Sequence, residues 1–326
     1  MVEQGTSLQV CVTRRLPLPV ERALSDRFDA SLNADDHALD RAALTEAMRR
    51  CDVLLPTITD RIDAELLATD GRRVRLIANF GAGVDHIDLA AARAAGIAVT
   101  NTPDALTDAT AELAILLMLS AARRAGEGER ELRAGQWTGW RPTHLVGMGL
   151  TNRTLGLVGF GRIAQATAAR ARGLGMKIRY FSRNRADRAV EAALGATHVA
   201  RLCDLAHGCD VLSLHVPGGA ATRHLVDRAL LEAMRPHAIL VNTARGPVVD
   251  EDALVDALDR RTIAAAALDV YEREPSVHPG LLRHPRSVLL PHLGSATIEA
   301  RTAMGMQAIA NIEAFLRGGE LPNRVA

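Results

Sequence analysis

The segment TLGLVGFGRIAQA, residues 154–166, places Gly159, Gly161 and Ala164 in a GxGxxA pattern between a predicted strand and a predicted helix. The first glycine permits a tight turn, the second lets the backbone approach a pyrophosphate, and the small third residue lets helix and strand pack closely. The helix then directs the free N–H groups and positive dipole of its first turn towards phosphate groups. A second predicted strand, KIRYFS, follows at residues 177–182, which is the context that a dinucleotide site requires. The segment therefore predicts a Rossmann-type dinucleotide site.

The end of that second strand bears on which dinucleotide is bound. An acidic residue there would bind the ribose 2′-hydroxyl and repel a 2′-phosphate. The sequence has Ser182, Arg183, Asn184 and Arg185 instead. A hydroxyl and two guanidiniums suit a phosphate dianion, since arginine matches phosphate oxygens with two parallel N–H groups. The pattern favours NADP(H), with NAD(H) still possible; the alternative interpretation is a solvated basic turn.

Around this site, short apolar runs alternate with helical patterns along the chain. Such alternation predicts an α/β fold in which helices cover parallel sheets. The predicted strands form two series. The first comprises residues 8–13, 53–56, 74–79 and 97–101, and the second comprises 154–159, 177–182, 211–215, 238–242, 263–270 and 288–290. An apolar helix over residues 103–123 is expected to be buried in the core or against a second subunit, and a last helix is predicted over residues 297–317.

Composition limits the possible functions. The formal net charge of +1 gives no long-range attraction to nucleic acid or to an anionic membrane. The four cysteines lack CxxC spacing and are too few for a disulfide scaffold, which predicts reduced thiols in a cytosolic protein. The first residues lack the basic segment and the long apolar run of a secretory signal. We therefore expect a cytoplasmic protein that binds neither nucleic acid nor membrane.

Three charged residues each follow a predicted strand of the second series: Arg245 in VNTARGPVVD, Glu274 in LDVYEREP and His292 in LLPHLGSAT. Open α/β sheets bind ligands at the carboxyl ends of their strands. An arginine there can hold a carboxylate through two N–H groups, and a carboxylate beside an imidazole raises the imidazole pKa and keeps it ready to donate a proton. Reduction of a 2-oxo acid requires these functions besides a hydride. The alternatives are a surface ion pair, a helix-start carboxylate and a structural histidine.

Another glycine-rich turn lies in NFGAGVDHID, residues 79–88, after a predicted strand. The backbone N–H groups of Ala82, Gly83 and Val84 can form a nest for a substrate carboxylate. The alternative is a simple tight turn between strand and helix.

With these residues identified, the chain resembles the D-isomer-specific 2-hydroxyacid dehydrogenase family over essentially its whole length, and most of all its glyoxylate/hydroxypyruvate reductase branch. The matching segments are NFGAGVDHID, NTPDALTDATAELA, LGLVGFGRIAQA, VNTARGPVVDEDAL, ALDVYEREP and PHLGSAT. The resemblance implies NAD(P)H-dependent reduction of a small 2-oxo acid, such as glyoxylate or hydroxypyruvate, to the D-2-hydroxy acid. His292 would be the acid/base, Glu274 would pair with the histidine, and Arg245 would bind and polarise the substrate.

The resemblance also implies further binding residues and an architecture. The family positions that contact the cofactor correspond to Thr110, Gly159, Gly161, Arg162, Ile163, Ser182, Arg183, Pro217, Thr243, Ala244, Asp269 and Gly294. The substrate is expected to contact Ala82, Gly83, Val84, Arg245 and His292. A Rossmann domain over residues 102–294 would be inserted in a flavodoxin-like substrate-binding domain formed by residues 1–101 and 295–326. The resemblance implies no metal, and a homodimer joined through the nucleotide-binding domain, with Trp140 in the dimer arm.

Two alternatives stay open from the sequence. One is an NAD-linked dehydrogenase of a bulkier acid such as 3-phosphoglycerate. The other is a non-catalytic, NAD(H)-sensing corepressor, since some proteins of this fold bind NAD(H) and recruit partners. Two departures disfavour further substrates: formate-oxidising relatives usually have glutamine in place of Glu274, and phosphite-oxidising relatives have lysine in place of Ala82.

Overall fold

The structure, a computed structural model, describes residues 8–326. Residues 1–7 lie outside the described residues. They belong to the predicted substrate-binding domain and to the N-terminal segment in which no secretory signal is expected. The chain forms two compact units. The first comprises the described residues up to Leu106 together with Ser295–Ala326, and the second comprises Thr107–Gly294. None of the helices within residues 8–326 combines the length and the hydropathy that crossing a membrane requires.

The first unit starts with strands and helices that alternate along the chain. They are β1 (Gln9–Val12), α1 (Leu18–Arg27), β2 (Asp29–Ser31), α2 (Arg41–Arg50), β3 (Val53–Leu55), α3 (Ala64–Leu67), β4 (Leu76–Ala78), α4 (Leu89–Ala94) and β5 (Ala98–Thr100). The strands form a parallel sheet in the order β2-β1-β3-β4-β5. Every residue of β3 and β4 is buried, as expected for central strands of a sheet with helices on both faces.

The second unit contains the longer sheet. Its elements are α5 (Thr107–Ala122), α6 (Ala125–Arg133), β6 (Thr154–Val158), α7 (Arg162–Gly173), β7 (Lys177–Phe181), α8 (Arg188–Leu194), β8 (Ala196–His198), α9 (Leu202–Gly208), β9 (Val211–Leu214), α10 (Arg228–Ala233), β10 (Ile239–Asn242), α11 (Glu251–Asp259), β11 (Ala265–Leu268), α12 (Pro279–Arg283) and β12 (Ser287–Leu289). The parallel strand order is β12-β11-β10-β9-β6-β7-β8. The chain therefore runs outward from β6 to β8 and returns to β9 on the other side of β6. A reversal of this kind creates a crevice at the carboxyl end of the sheet, where α/β proteins bind ligands.

The chain ends in the first unit with α13 (Ile298–Leu316). The hydroxyl of Thr297 accepts a hydrogen bond from the N–H of Ala300 at 3.0 Å and so caps the first turn. The helix packs against α1 and β4, and its side chains Met304, Ala308, Ile309 and Ile312 join the apolar core of this unit.

The predicted α/β class with parallel sheets is confirmed, but β2 and β8 were not predicted. Each has three residues, Asp-Ala-Ser and Ala-Thr-His, and each lies at the edge of its sheet. Edge strands need no continuous apolar run, because one side of the strand is not covered by a neighbouring strand. The long helix predicted over residues 103–123 begins only at Thr107, four residues after Pro103.

Candidate active site

Arg245, Glu274 and His292 follow three neighbouring strands of the second unit. Because β10, β11 and β12 are adjacent and parallel, the loops after them leave the sheet at the same edge. Nδ1 of His292 lies 2.7 Å from Oε2 of Glu274. Arg245 is close enough for its charge to act on Glu274. The structure therefore brings together the three groups for which the sequence predicts catalysis.

Glu274 is held through both carboxylate oxygens. Oε2 is bonded to His292, and Oε1 accepts a hydrogen bond from the N–H of Tyr271 at 3.0 Å. Burial alone would raise the pKa of Glu274, but the hydrogen bond and charge of His292, the Tyr271 N–H and the charge of Arg245 together lower that pKa below its ordinary value. Since the carboxylate can only accept, Nδ1 of His292 must carry a proton. Nε2 makes no hydrogen bond within residues 8–326.

The backbone of His292 is strained. Its φ of +54° lies in the left-handed region, which residues other than glycine rarely adopt. Asp269 holds this conformation: its main-chain oxygen accepts from the N–H of His292 at 2.9 Å, and its carboxylate accepts from Leu293 at 2.7 Å and Gly294 at 2.8 Å. Burial raises the pKa of Asp269 to about 6, against the opposing effect of these N–H groups. A strained residue that its surroundings hold so firmly is typical of functional sites.

The loops that carry Arg245 and Glu274 touch each other along the backbone. A Cβ on Gly246 would lie 1.8 Å from both the carbonyl carbon and the oxygen of Tyr271, so only glycine permits this approach. The hydroxyl of Tyr271 in turn donates to the oxygen of Leu290 at 2.8 Å, on the loop that leads to His292. Gly246 and Tyr271 thus connect all three loops.

The turn between β6 and α7 has the shape that a dinucleotide requires. Gly159 has a φ of +88°, and a Cβ there would lie 2.6 Å from the oxygen of His215. Gly161 precedes α7, no side chain of residues 8–326 caps this helix, and the positive end of the helix dipole lies at this turn. The hydroxyl of Thr243 is buried and makes no hydrogen bond within the described part of the chain. These features fit a pyrophosphate at α7 and a polar group of the nucleotide at Thr243.

The other residues predicted to contact the cofactor lie at the same edge of this sheet. Arg162 and Ile163 begin α7, and the rest follow β7, β9, β10, β11 and β12 in turn: Ser182 and Arg183, Pro217, Thr243 and Ala244, Asp269, and Gly294. Thr110 lies near the start of α5, and its hydroxyl donates to the oxygen of Gly294 at 2.9 Å. Thr110, Asp269 and Gly294 are therefore brought together by hydrogen bonds.

One residue that the sequence analysis assigned to a phosphate is engaged elsewhere. The guanidinium of Arg185 donates to both carboxylate oxygens of Glu191, at 2.9 and 2.8 Å, and the hydroxyl of Tyr180 donates to the same carboxylate at 2.7 Å. The hydrogen bonds from Arg185 and Tyr180 lower the pKa of Glu191 to about 2. The prediction that two guanidiniums are available to a phosphate is therefore wrong for Arg185, whereas Arg183 is exposed and makes no hydrogen bond or ion pair within residues 8–326.

In the first unit, Ala82, Gly83 and Val84 form part of the turn after β4. All three are half-buried. Their N–H groups donate to no acceptor within residues 8–326, as a nest for an anion requires.

Comparison with known proteins identifies the family. The family model for the NAD binding domain of D-isomer specific 2-hydroxyacid dehydrogenases matches residues 115–294. A glyoxylate reductase from Thermococcus litoralis is 43% identical over 321 residues, which cover 97% of this chain and 96% of the relative. The chain belongs to the D-isomer specific 2-hydroxyacid dehydrogenase family. The predicted resemblance is confirmed, and so is the prediction of an NAD(P)-dependent oxidoreductase.

Two further proteins extend this similarity. A glycerate dehydrogenase from Hyphomicrobium methylovorum is 38% identical and aligns with 98% of this chain and 99% of its own length. The crystal structure of an NADPH-dependent glyoxylate/hydroxypyruvate reductase from Sinorhizobium meliloti, in complex with NADP and malonate, superposes with a TM-score of 0.87 at 36% identity. That similarity covers 98% of this chain and 97% of the relative.

The residues that hold the loops of the candidate site were not predicted from the sequence. Tyr271, Gly246 and Asn79 lie inside the quoted segments ALDVYEREP, VNTARGPVVDEDAL and NFGAGVDHID. Each of them contacts backbone atoms of another residue, which no side-chain pattern reveals. Their position inside the family segments was the only available signal.

Proposed function

We propose that the protein reduces small 2-oxo acids, glyoxylate and hydroxypyruvate among them, to 2-hydroxy acids, with the D configuration where C2 becomes a stereocentre. The relatives that support this proposal are a glyoxylate reductase, a glycerate dehydrogenase and a glyoxylate/hydroxypyruvate reductase. The observation that carries it is the 2.7 Å hydrogen bond between His292 and Glu274, formed beside Arg245 at the ligand-binding edge of the sheet. This arrangement favours turnover over a protein that only senses NAD(H).

The three side chains divide the chemistry between them. When bound, the nicotinamide supplies the hydride. His292 gives a proton to the substrate oxygen through Nε2 as negative charge develops on that oxygen. Glu274 remains a carboxylate, because its pKa is lowered, and it stabilises the imidazolium and keeps the proton on Nδ1. Arg245 binds the substrate and polarises it through charge-assisted hydrogen bonds.

We propose NADP(H) as the favoured cofactor, with NAD(H) also accepted. Support comes from the absence of an acidic residue at the end of β7 and from the exposed Arg183 next to Ser182. With Arg185 bound to Glu191, Arg183 would be the guanidinium of this loop that holds the 2′-phosphate. We therefore expect Arg183→Ser to lower kcat/KM for NADPH and to leave kcat/KM for NADH nearly unchanged. A wild-type protein that prefers NADH would contradict this assignment.

We further propose that residues 102–294 bind the nucleotide and that residues 1–101 with 295–326 bind the substrate carboxylate through Ala82, Gly83 and Val84. We propose a cytoplasmic location as well, where free thiols persist, because all four cysteines are free.

The proposed assembly is a homodimer joined through the nucleotide-binding unit. Large apolar side chains are exposed in and after α6, with Leu132 at 62%, Trp140 at 81% and Val146 at 65% of full exposure. Three large exposed apolar side chains within fifteen residues of sequence fit a surface that contacts another protein. Light scattering should give the mass of two chains, and Trp140→Asp should shift it towards one chain.

The proposed activity is tested with His292→Ala and a matched control. Oxidation of NADPH and NADH is followed by absorbance with glyoxylate, hydroxypyruvate, pyruvate and longer 2-oxo acids. We expect His292→Ala to lower kcat about 10²- to 10⁴-fold, while nucleotide binding measured by fluorescence stays normal. The control is His237→Ala, because Nε2 of His237 makes a similar 2.6 Å contact with Asp210 at the amino end of the same sheet. Equal rates for the two variants would refute the role of His292, and a wild-type protein inactive with every acid would refute the function.

A further inference from the structure

The turn after β4 presents three successive N–H groups, those of Ala82, Gly83 and Val84. None of them donates to an acceptor within the described residues. The carbonyl oxygens of the same peptides behave differently. Gly81 O and Gly83 O accept from Nδ2 of Asn79 at 3.0 and 2.9 Å, and Ala82 O accepts from Nδ2 of Asn101 at 2.7 Å.

The geometry of the peptide bond links these two observations. In a planar trans peptide, the C=O of one residue and the N–H of the next point in opposite directions. Fixing the oxygens of Gly81, Ala82 and Gly83 therefore fixes the N–H groups of the three residues that follow them. Each of the three N–H groups therefore points away from the asparagine amide that holds the carbonyl oxygen of its own peptide.

Asn79 is itself firmly held. Its side chain is fully buried, and its Oδ1 lies 3.0 Å from Nε2 of His86. Because Nδ2 faces two carbonyl oxygens, the orientation of the amide is unambiguous, and Oδ1 must accept from the histidine. A Cβ on Gly81 would lie 3.2 Å from Nδ2, so the glycine gives the amide room. A side chain with its hydrogen-bonding groups used in this way has little freedom to move.

We infer that Asn79 and Asn101 are positioning residues for substrate binding. They direct the N–H groups of residues 82–84 at the carboxylate of a 2-oxo acid, which is then recognised by backbone groups. This inference rests on the proposed function. It predicts that the two asparagines act on binding of the acid and have no direct part in nucleotide binding or proton transfer.

The main test is Asn79→Asp. The carboxylate keeps the size of the amide but loses both donated hydrogen bonds, and its negative charge opposes an anionic substrate. We expect KM for glyoxylate to rise about tenfold or more, with a much smaller change in kcat at saturation. Oxalate, a two-carbon anion that is not reduced, should bind to the NADP-loaded protein with a correspondingly weaker affinity in calorimetry. The affinity for NADPH, measured by fluorescence, should not change.

The matched control is Asn33→Asp. Nδ2 of Asn33 also donates to two backbone oxygens, those of Thr13 at 2.8 Å and His37 at 2.7 Å, but it lies outside the turn. A merely structural loss would affect both variants alike, whereas the inference predicts a raised KM only for Asn79→Asp. If Asn79→Asp does not fold, Asn101→Ala tests the inference instead, because it removes only the hydrogen bond from Asn101 to Ala82 O. We expect that variant to raise KM by about three- to tenfold.

The outcomes separate this inference from the proposed function. Oxalate binding that depends on Asn79, in a protein that reduces no 2-oxo acid, would support the inference and refute the function. Turnover of glyoxylate with the same KM and the same oxalate affinity in Asn79→Asp and Asn33→Asp would overturn the inference and leave the function standing. Unchanged values in Asn101→Ala would overturn it as well.

Discussion

Gly246→Ala tests how firmly the candidate active site depends on backbone packing. The added Cβ would lie 1.8 Å from the carbonyl carbon and oxygen of Tyr271 and 2.4 Å from the nitrogen of Glu272. The two segments must then separate by roughly 1.5 Å to restore ordinary van der Waals contact. Arg245 and Glu274 lie on opposite sides of this contact, so their spacing changes. A misplacement of about 1 Å can cost about 10²-fold in rate, and overpacking typically lowers the free energy of unfolding by about 1–3 kcal/mol.

The assay is kcat/KM with NADPH and glyoxylate, alongside thermal unfolding. We expect kcat/KM of Gly246→Ala to fall by about 10²-fold while the affinity for NADPH changes little, because the glycine turn is not involved. Gly173→Ala at the end of α7 is the control, since a Cβ there would meet nothing within 4 Å. If both variants show the same kinetics and the same Tm, the loops are not held by this contact and the reasoning fails.

Three further predictions concern the second unit. Burial raises the pKa of Asp269 to about 6, so the contribution of this carboxyl to the free energy of unfolding is greatest below its ordinary pKa and is lost as pH rises through about 6. Asp269→Asn should remove this pH-dependent loss in thermal unfolding. A variant with the pH profile of the wild type would contradict the prediction. Burial alone would raise the pKa of Asp210, but hydrogen bonds from Thr154 and His237 lower this pKa below its ordinary value. The stability that the carboxylate contributes is therefore lost only as pH falls through the lowered pKa. Asp210→Asn should cost about 1–3 kcal/mol in denaturant unfolding at neutral pH and leave kcat unchanged; full stability would contradict this. Gly159→Ala, with φ of +88°, should weaken NADPH binding about tenfold or more in fluorescence titration, and normal affinity would argue against the site.

The position of the candidate site was predictable because it follows from strand ends. The strands β10 and β11 are buried along their whole length, and Val288 and Leu289 of β12 are half-buried, so the apolar runs show where each strand ends and which charged residue comes next. These strands are also consecutive along the chain, and consecutive strands of α/β folds are usually neighbours. The charged residues that follow such strands are therefore expected at one edge of the sheet. The short edge strands β2 and β8 offered no such run and were missed.

The partner of a charged side chain was not predictable in the same way. Arg183 and Arg185 are two residues apart and chemically identical, yet Arg185 is bound to Glu191, whereas Arg183 makes no hydrogen bond or ion pair within residues 8–326. The difference arises because α8 turns Glu191 towards the buried hydroxyl of Tyr180, which bonds the same carboxylate. The sequence pattern predicts the same phosphate-binding role for both arginines. Only the packing of α8 against the end of β7 distinguishes them.

The residues that hold the site were hidden for a more general reason. Asp269 holds the segment of His292 through three N–H groups, Asn79 holds two carbonyl oxygens, and Gly246 makes room for the backbone of Tyr271. In each case one partner is a backbone group. Because every residue has such a group, the sequence can indicate the side chain of the contact but not its backbone partner. Small polar residues can hydrogen-bond to a nearby backbone group, and glycine lets another backbone segment approach closely because it has no side chain. Side chains that react can thus be inferred from their chemistry, whereas those that position them become identifiable only when the backbone they hold is placed.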